Sequence, residues 1–152
     1  MDATKPTDVD LISTHAEYIR EVRAGVNSLS VGSGVGVTVL PIPAGTVSLT
    51  VGTDLGLYGC EIVIATADAA VNISKILGGT QGQLKRFVFQ DNNITLVDGV
   101  AASGNIYLNR LPALSSWSTQ ANDSVDLVNI GGDGGATTHG YWLEVSRQVA
   151  VK

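Results

Sequence analysis

The sequence predicts a mainly β fold, an antiparallel β-sandwich, barrel or jelly roll, with one short N-terminal α-helix. From about residue 37 onward, apolar residues recur with a period of two, and clusters of Gly, Asn and Asp separate the runs. Residues 12–29 instead carry apolar residues at helical spacing. Only 15% of the 152 residues are charged and 18 are glycine, a composition that favours short strands and tight turns. We therefore predict an N-terminal segment, 1–36, and a β-rich domain, 37–152.

The N-terminal segment begins with a polar arm and continues into the predicted helix, which a Gly/Ser hinge at 30–36 separates from the rest. A helix of roughly 15 residues is marginal alone in water, so its apolar stripe must pack on something. The same helix in sister copies and the chain's own sheet are both open as partners. We predict an assembly interface made of the six stripe residues, which follow steps of 4, 3, 3, 4 and 3: Ile12, Ala16, Ile19, Val22, Val26 and Leu29.

The β-rich domain contains several short predicted strands and no internal repeat of fixed period. Residues 46–51 alternate cleanly, which predicts that Val47, Leu49 and Val51 face a core. Further strands are predicted at 61–65, 87–89, 94–96, 105–108, 125–130 and 141–145. Turn signals between them, such as 78–79, 91–93 and 131–135, favour strand-turn-strand units.

Charge and composition disfavour several classes of function. The net charge is −5, and the nearest approach to a basic cluster is Lys85 next to Arg86, so we expect no nucleic-acid binding. No run of about 18 apolar residues is present to span a membrane. The first residues lack the basic and apolar regions of a secretory signal, so we expect synthesis in a cytoplasm. Cys60 is the only cysteine, and we expect a buried, inert thiol.

The polar residues form no recognisable catalytic, metal or cofactor set. Nucleophilic catalysis needs a nucleophile, a base and an orienting group, and no local spacing supplies them. The acidic residues are mostly single and next to turns, as Asp91, Asp98, Asp123 and Asp133 are, which predicts that they bond local backbone amides. The glycine-rich 131–135 is predicted to be a tight loop rather than a phosphate or calcium site. We therefore expect no enzyme activity, no metal and no cofactor.

Aromatic residues in the C-terminal third have two interpretations. Trp117, Tyr141 and Trp142 are predicted to be core or interface anchors. The alternative is a sugar-stacking platform, in which these rings, with Tyr107, would bind a glycan.

Two stretches resemble structural proteins of tailed bacteriophages. Residues 18–29, Y-I-R-E-V-R-A-G-V-N-S-L, are similar to the helix at the front of many phage fibre and appendage proteins. Residues 76–108 begin I-L-G-G-T-Q-G-Q and are similar to a turn-and-strand module common in phage fibres and spikes. The resemblance implies a homotrimer whose helices gather at the axis and a part that attaches to a capsid or a tail.

The expectation is therefore a non-enzymatic virion structural protein, made in the host cytoplasm. Its partners would be its own copies in a homotrimer and other virion proteins, so the helix has a capsid protein as a third potential partner. The length fits a capsid decoration protein or head appendage better than a long receptor-binding fibre. The alternative is a tail-fibre protein or adaptor, or a carbohydrate-binding adhesive module.

Overall fold

A computed structural model of the chain describes residues 35–99, 104–109, 116–132 and 140–151. Within these ranges the protein is mainly β and contains no α-helix, which confirms the β-rich prediction. The predicted helix at 12–29 lies outside the described residues. The strands are β1 (Val35–Ile42), β2 (Ser48–Thr50), β3 (Cys60–Ala67), β4 (Val71–Ile73), β5 (Lys75–Leu77), β6 (Leu84–Phe89), β7 (Ile94–Val97), β8 (Ile106–Tyr107), β9 (Ser116–Ser118), β10 (Ser124–Gly131) and β11 (Tyr141–Gln148).

The strands form one large sheet and two small ones. The large sheet has six strands in the order β1-β3-β6-β10-β11-β8. The small sheets are β2-β5 and β4-β7-β9. β1 begins at Val35, so the last two residues of the predicted hinge already belong to the large sheet.

The first half of the described chain makes three successive turns, which we call rungs. The strands β1, β3 and β6 of these rungs lie side by side in parallel. In the large sheet, Val35 pairs with Cys60 and Cys60 pairs with Leu84, so equivalent positions lie 25 and 24 residues apart. Between these strands the chain passes through the small sheets, where β2 pairs with β5 and β4 pairs with β7, again in parallel. The backbone therefore repeats although no sequence repeat is evident, because equivalent positions share apolar character rather than identity.

The expected antiparallel pairing describes only part of the structure. Among the described strands, the pairs β6–β10, β10–β11 and β7–β9 are antiparallel, and the other five pairs are parallel. Parallel neighbours need a crossover much longer than a hairpin, and each rung supplies one. The turn signal at 91–93, predicted to belong to a strand-turn-strand unit, is instead a corner after β6 at which the chain moves to another sheet.

The core lies on the inner side of the large sheet, between it and the two small sheets. Val63, Ala65, Phe87 and Phe89 of β3 and β6 are buried there, and Phe87 stacks parallel to Phe89 with ring centroids 6.2 Å apart. Burial of such side chains stabilises a fold by roughly 1.5–3 kcal/mol each.

The alternation predicted for residues 46–51 is confirmed at two positions and wrong at one. Leu49 and Val51 are buried, whereas the side chain of Val47 is 60% exposed. Val47 precedes β2, and its carbonyl accepts the Ser74 N–H at 3.0 Å. The pattern of two therefore starts two residues later than the sequence indicates, with Leu49 rather than Val47 as the first inward residue.

Candidate assembly surface

The outer face of the large sheet carries exposed apolar side chains. Val35, Val37 and Val39 of β1 are 67%, 61% and 68% exposed. The parallel register sets them beside half-buried residues of β3, with Val37 opposite Ile62 and Val39 opposite Ile64. We define the outer face as the side of the sheet that carries Val35, Val37, Val39, Cys60, Ile62, Ile64, Leu84, Arg86, Val88, Ser124, Asp126 and Val128.

β1 lacks most of the features that normally protect an edge strand, and keeps one, Pro41 near its end. Among the described strands it pairs only with β3, so its other side is an edge. Edge strands are usually short, charged or bulged, which prevents association with another chain. β1 has eight residues and no charged side chain. An exposed apolar edge strand of this kind favours association.

One ion pair lies at the centre of the outer face. Arg86 donates two hydrogen bonds to Asp126, Nε to Oδ1 at 2.6 Å and Nη2 to Oδ2 at 2.7 Å. Ser146 Oγ donates to Asp126 Oδ2 at 2.7 Å. The hydrogen bonds from Arg86 hold the pKa of Asp126 below its ordinary value of 3.8, and Asp126 raises the pKa of Arg86. The pair neutralises itself, so these two groups add no net charge to the face.

A second ion pair lies on the inner side of the same strands. Lys85 Nζ is 2.5 Å from Glu61 Oε2, and both side chains are 0% exposed. Lys85 also donates to the carbonyls of Gly56 at 2.7 Å and Tyr58 at 3.3 Å. Glu61 accepts the N–H of Gly56 at 2.8 Å and the hydroxyl of Thr38. All three ammonium donors are therefore used within the protein.

The buried pair is a structural element and not a reaction centre. A paired Lys and Glu in a cleft is a typical arrangement for proton transfer, but complete burial leaves no room for a substrate beside Glu61 and Lys85. Its hydrogen bonds instead tie the loop at 56–58 to β1, β3 and β6. This pair is not among the sites predicted from the sequence, although Glu61 within an apolar run is a signal for it.

The predicted aromatic site residues occupy separate environments. Trp142 is fully buried, and its Nε1–H donates to the Ile76 carbonyl at 3.2 Å. Trp117 is also in the core, with the Arg147 guanidinium 4.0 Å from its ring centroid. Both indoles are therefore core anchors, and neither offers a free ring face to a sugar.

The third aromatic site residue, Tyr141, is half-buried and lies edge to face against Tyr107, with ring centroids 5.0 Å apart. Burial raises the pKa of Tyr107, and the interaction with Tyr141 is the second cause of this increase. The described aromatics therefore do not converge on one surface.

The six residues of the predicted helix stripe, Ile12 to Leu29, lie outside the described residues.

Aspartates next to turns bond backbone amides, as their positions in the sequence predict. Asp91 accepts the local N–H of Asn93 at 2.9 Å, and it also accepts that of Ala67, which is not local, at 2.7 Å. Asp123 accepts the N–H of Gln120 at 2.9 Å. In the described part of the chain, no group of three or more His, Cys, Asp or Glu residues is placed to hold a metal ion.

Comparisons with known proteins add no family assignment. No protein-family model matches the chain, and no curated protein matches it significantly. Over the residues that the structure describes, no helix is long and apolar enough to cross a membrane.

Proposed function

We propose that this chain is a non-enzymatic structural protein of a tailed-bacteriophage virion, a trimeric capsid decoration or head-appendage protein that assembles through its own copies. The observation that carries the proposal is the exposed valine row of β1, Val35, Val37 and Val39. Monomeric proteins rarely expose large contiguous apolar patches. Association that covers the row would gain roughly 25 cal/mol for each Å² of apolar surface removed from water.

The phage-like module at 76–83 supports the proposal because its characteristic residues have structural roles. Gly78 and Gly82 adopt positive φ angles of 74° and 90°, which glycine tolerates without strain. A Cβ added at Gly79 would overlap the indole of Trp142. Gln83 accepts the Thr80 N–H at 2.7 Å, which closes the turn. The residues that carry the resemblance are therefore those that this turn needs.

The mass of the purified chain in solution tests the self-association. We expect size-exclusion chromatography with light scattering to give a trimer at micromolar concentration. Co-sedimentation with capsids, and separately with tails, tests the attachment. A stable monomer that binds neither particle would contradict the proposal, and binding to tails alone would favour the tail-fibre or adaptor alternative.

A further inference from the structure

We infer that a polar groove at one end of the large sheet binds an uncharged oligosaccharide. The groove consists of two cavities in the described part of the chain, of about 630 Å³ and about 540 Å³. Asn122 lines both cavities, so they adjoin at this residue. Sites for small ligands typically have volumes of about 300–1,000 Å³. The inference does not depend on the proposed assembly and adds a binding activity to it.

The groove forms where the chain turns at one end of the strands. The first cavity lies between the corner at 91–92, the turn at 118–122 and residues 150–151 after β11. The Asp123 carboxylate holds these parts together, because it accepts the N–H of Gln120 at 2.9 Å and that of Ala150 at 2.8 Å. The second cavity continues along β6, β10 and β11 on the outer face as far as Arg86.

Four carboxamide side chains line the groove and have hydrogen-bonding groups to offer. Within the described residues none of them has a side-chain hydrogen bond, and they belong to Asn92, Gln120, Asn122 and Gln148. A carboxamide both donates and accepts hydrogen bonds, and so does each hydroxyl of a sugar. The lining therefore matches a hydroxyl-rich ligand.

The turn at 118–122 presents the Asn122 amide where the two cavities adjoin. Asn122 has a φ of 71°, the only positive φ among the described non-glycine residues. Its N–H donates to the Phe89 carbonyl at 2.7 Å. Glycine would adopt this φ without strain, so the backbone does not require the amide of Asn122. This amide is therefore available to a ligand.

The charges of the groove cancel, which favours an uncharged ligand. The four charged side chains of the lining are two cations and two anions, namely Arg86, Arg147, Asp91 and Asp126. Each of them is already bonded within the protein. An anionic polymer needs clustered Lys and Arg residues, and the whole chain carries a net charge of −5. A neutral glycan has no such requirement.

The lining also disfavours a protein as the occupant. Protein interfaces are usually anchored by aromatic or large apolar side chains in their centre. The described lining contains no aromatic residue, and its apolar members are small: Val88, Ala121, Ala150 and Val151. Without a ring on which a sugar can stack, we expect weak binding by one chain. Several copies on one polymer would strengthen it.

Binding of the full chain to an array of bacterial surface polysaccharides, both neutral and anionic, tests the inference. We expect retention on neutral polymers. Oligosaccharides of the neutral polymer that binds best are then titrated into ¹⁵N-labelled protein, and the side-chain amide resonances are followed by NMR. The resonances of Asn92, Gln120, Asn122 and Gln148 should shift. A hexasaccharide should bind more tightly than a disaccharide, because it reaches both cavities.

Four outcomes would overturn the inference. They are no retention on any polysaccharide, retention on anionic polymers alone, resonance shifts confined to Tyr107 and Tyr141, and binding of unglycosylated peptides without binding of glycans. Light scattering on the same samples separates this inference from the proposed assembly. A monomer that binds the glycan would contradict only the assembly, whereas a trimer that binds none would contradict only the groove.

A matched pair of variants separates the groove from general surface effects. Gln148→Ala and Gln81→Ala each remove one exposed carboxamide, but Gln81 precedes β6 and Gln148 lies level with its other end. We expect Gln148→Ala to weaken glycan binding about fivefold, because a hydrogen bond is lost. Gln81→Ala should leave binding unchanged. Equal effects of the two substitutions would contradict the inference.

Asn122→Gly tests the groove without disturbing the turn. Glycine keeps the positive φ and removes only the amide, so we expect a similar loss of about fivefold in glycan affinity. Circular dichroism and the mass in solution should match those of the parent protein. Unchanged affinity in this variant would show that the ligand does not reach the point where the two cavities adjoin, and would overturn the inference.

Discussion

Two adjacent residues of β6, Lys85 and Arg86, have the same charge and opposite surroundings. Lys85 is fully buried against Glu61, whereas the side chain of Arg86 is 53% exposed and bonded to Asp126. Successive residues of a strand point to opposite faces, so the sheet itself separates the two cations. The inner pair has become part of the core, and the outer pair lines the groove that we propose to bind a glycan.

The comparison predicts that an ion pair is important for stability chiefly where water cannot replace a partner. A buried charge that loses its partner has no access to solvent, and the cost is several kcal/mol. An exposed guanidinium that loses its carboxylate is simply hydrated, and such pairs contribute about 0–1 kcal/mol. Four substitutions test this difference between the two faces, and their expected effects decrease in the order given below.

Removal of the inner cation should have the largest effect. Lys85→Met leaves the Glu61 carboxylate buried without its counter-charge, so we expect a loss of about 3–5 kcal/mol in the free energy of unfolding. Urea denaturation followed by circular dichroism measures it. Lys75→Met, at a half-buried site on β5, is the matched control and should change stability little.

A double variant keeps this prediction testable if Lys85→Met does not fold. Glu61→Gln with Lys85→Met removes both charges but keeps an acceptor for Thr38 and Gly56. We expect it to recover part of the lost stability. A double variant that is less stable than Lys85→Met would show that the penalty does not come from an uncompensated charge.

Removal of Arg147, the second inner cation, should lower the free energy of unfolding somewhat less. Arg147 donates two hydrogen bonds to Glu144, both at 2.8 Å, and covers the Trp117 ring. Arg147→Ala leaves the buried Glu144 carboxylate unpaired, so we expect a loss of about 2–4 kcal/mol. The fluorescence of Trp117 should change as well. Arg147→Lys keeps the charge but loses the two-point contact, and it should fall between the parent protein and Arg147→Ala.

Removal of the outer anion should have a smaller, pH-dependent effect. Because its pKa is lowered on folding, ionised Asp126 stabilises the fold above its ordinary pKa. This contribution is lost as the pH falls through the lowered value. We expect Asp126→Asn to cost about 1 kcal/mol near neutral pH. The loss should shrink on titration from about pH 5 to pH 2.

The matched control for this titration is Asp68→Asn, which removes an exposed carboxylate just after β3. It should change the free energy of unfolding little near neutral pH. A parent protein and an Asp126→Asn variant with parallel stability curves over the acidic range would contradict the role given to Asp126.

The smallest effect on folding is expected at the exposed valine row. Val37→Lys, studied at concentrations where the chain is monomeric, should change the free energy of unfolding by no more than about 0.5 kcal/mol. Thermal unfolding of dilute protein measures this. A large loss in the monomer would show that the side chain of Val37 is part of the monomer's own packing.

The sequence partly predicts which face of the large sheet each charged residue of β6 occupies. Lys85 has the same strand parity as Phe87 and Phe89, the large core residues, so alternation alone favours an inward lysine. The ambiguity came from β3, where Ile62 and Ile64 on the outer side are as apolar as Val63 on the inner side. Periodicity therefore identifies the two faces of such a strand but not which one is buried.

The parallel pairing was not predictable from local signals. The Asp and Asn residues at 91–93 have the composition of a hairpin turn, but Asp91 bonds Ala67 of the preceding rung, 24 residues earlier. Turns and corners use the same residues, because both need short side chains that bond the backbone. Only the register across distant strands distinguishes them, and that information is not contained in any short stretch of sequence.

The rung spacing also has a consequence for how a chain of this kind can change in length. β3 and β6 stack with an offset of 24 residues, as Cys60 opposite Leu84 shows. An added segment of one full rung would preserve every inward and outward position, whereas a single added residue within a strand would exchange the two faces. In evolution and in engineering, this domain can therefore lengthen or shorten by whole rungs without exchanging its two faces.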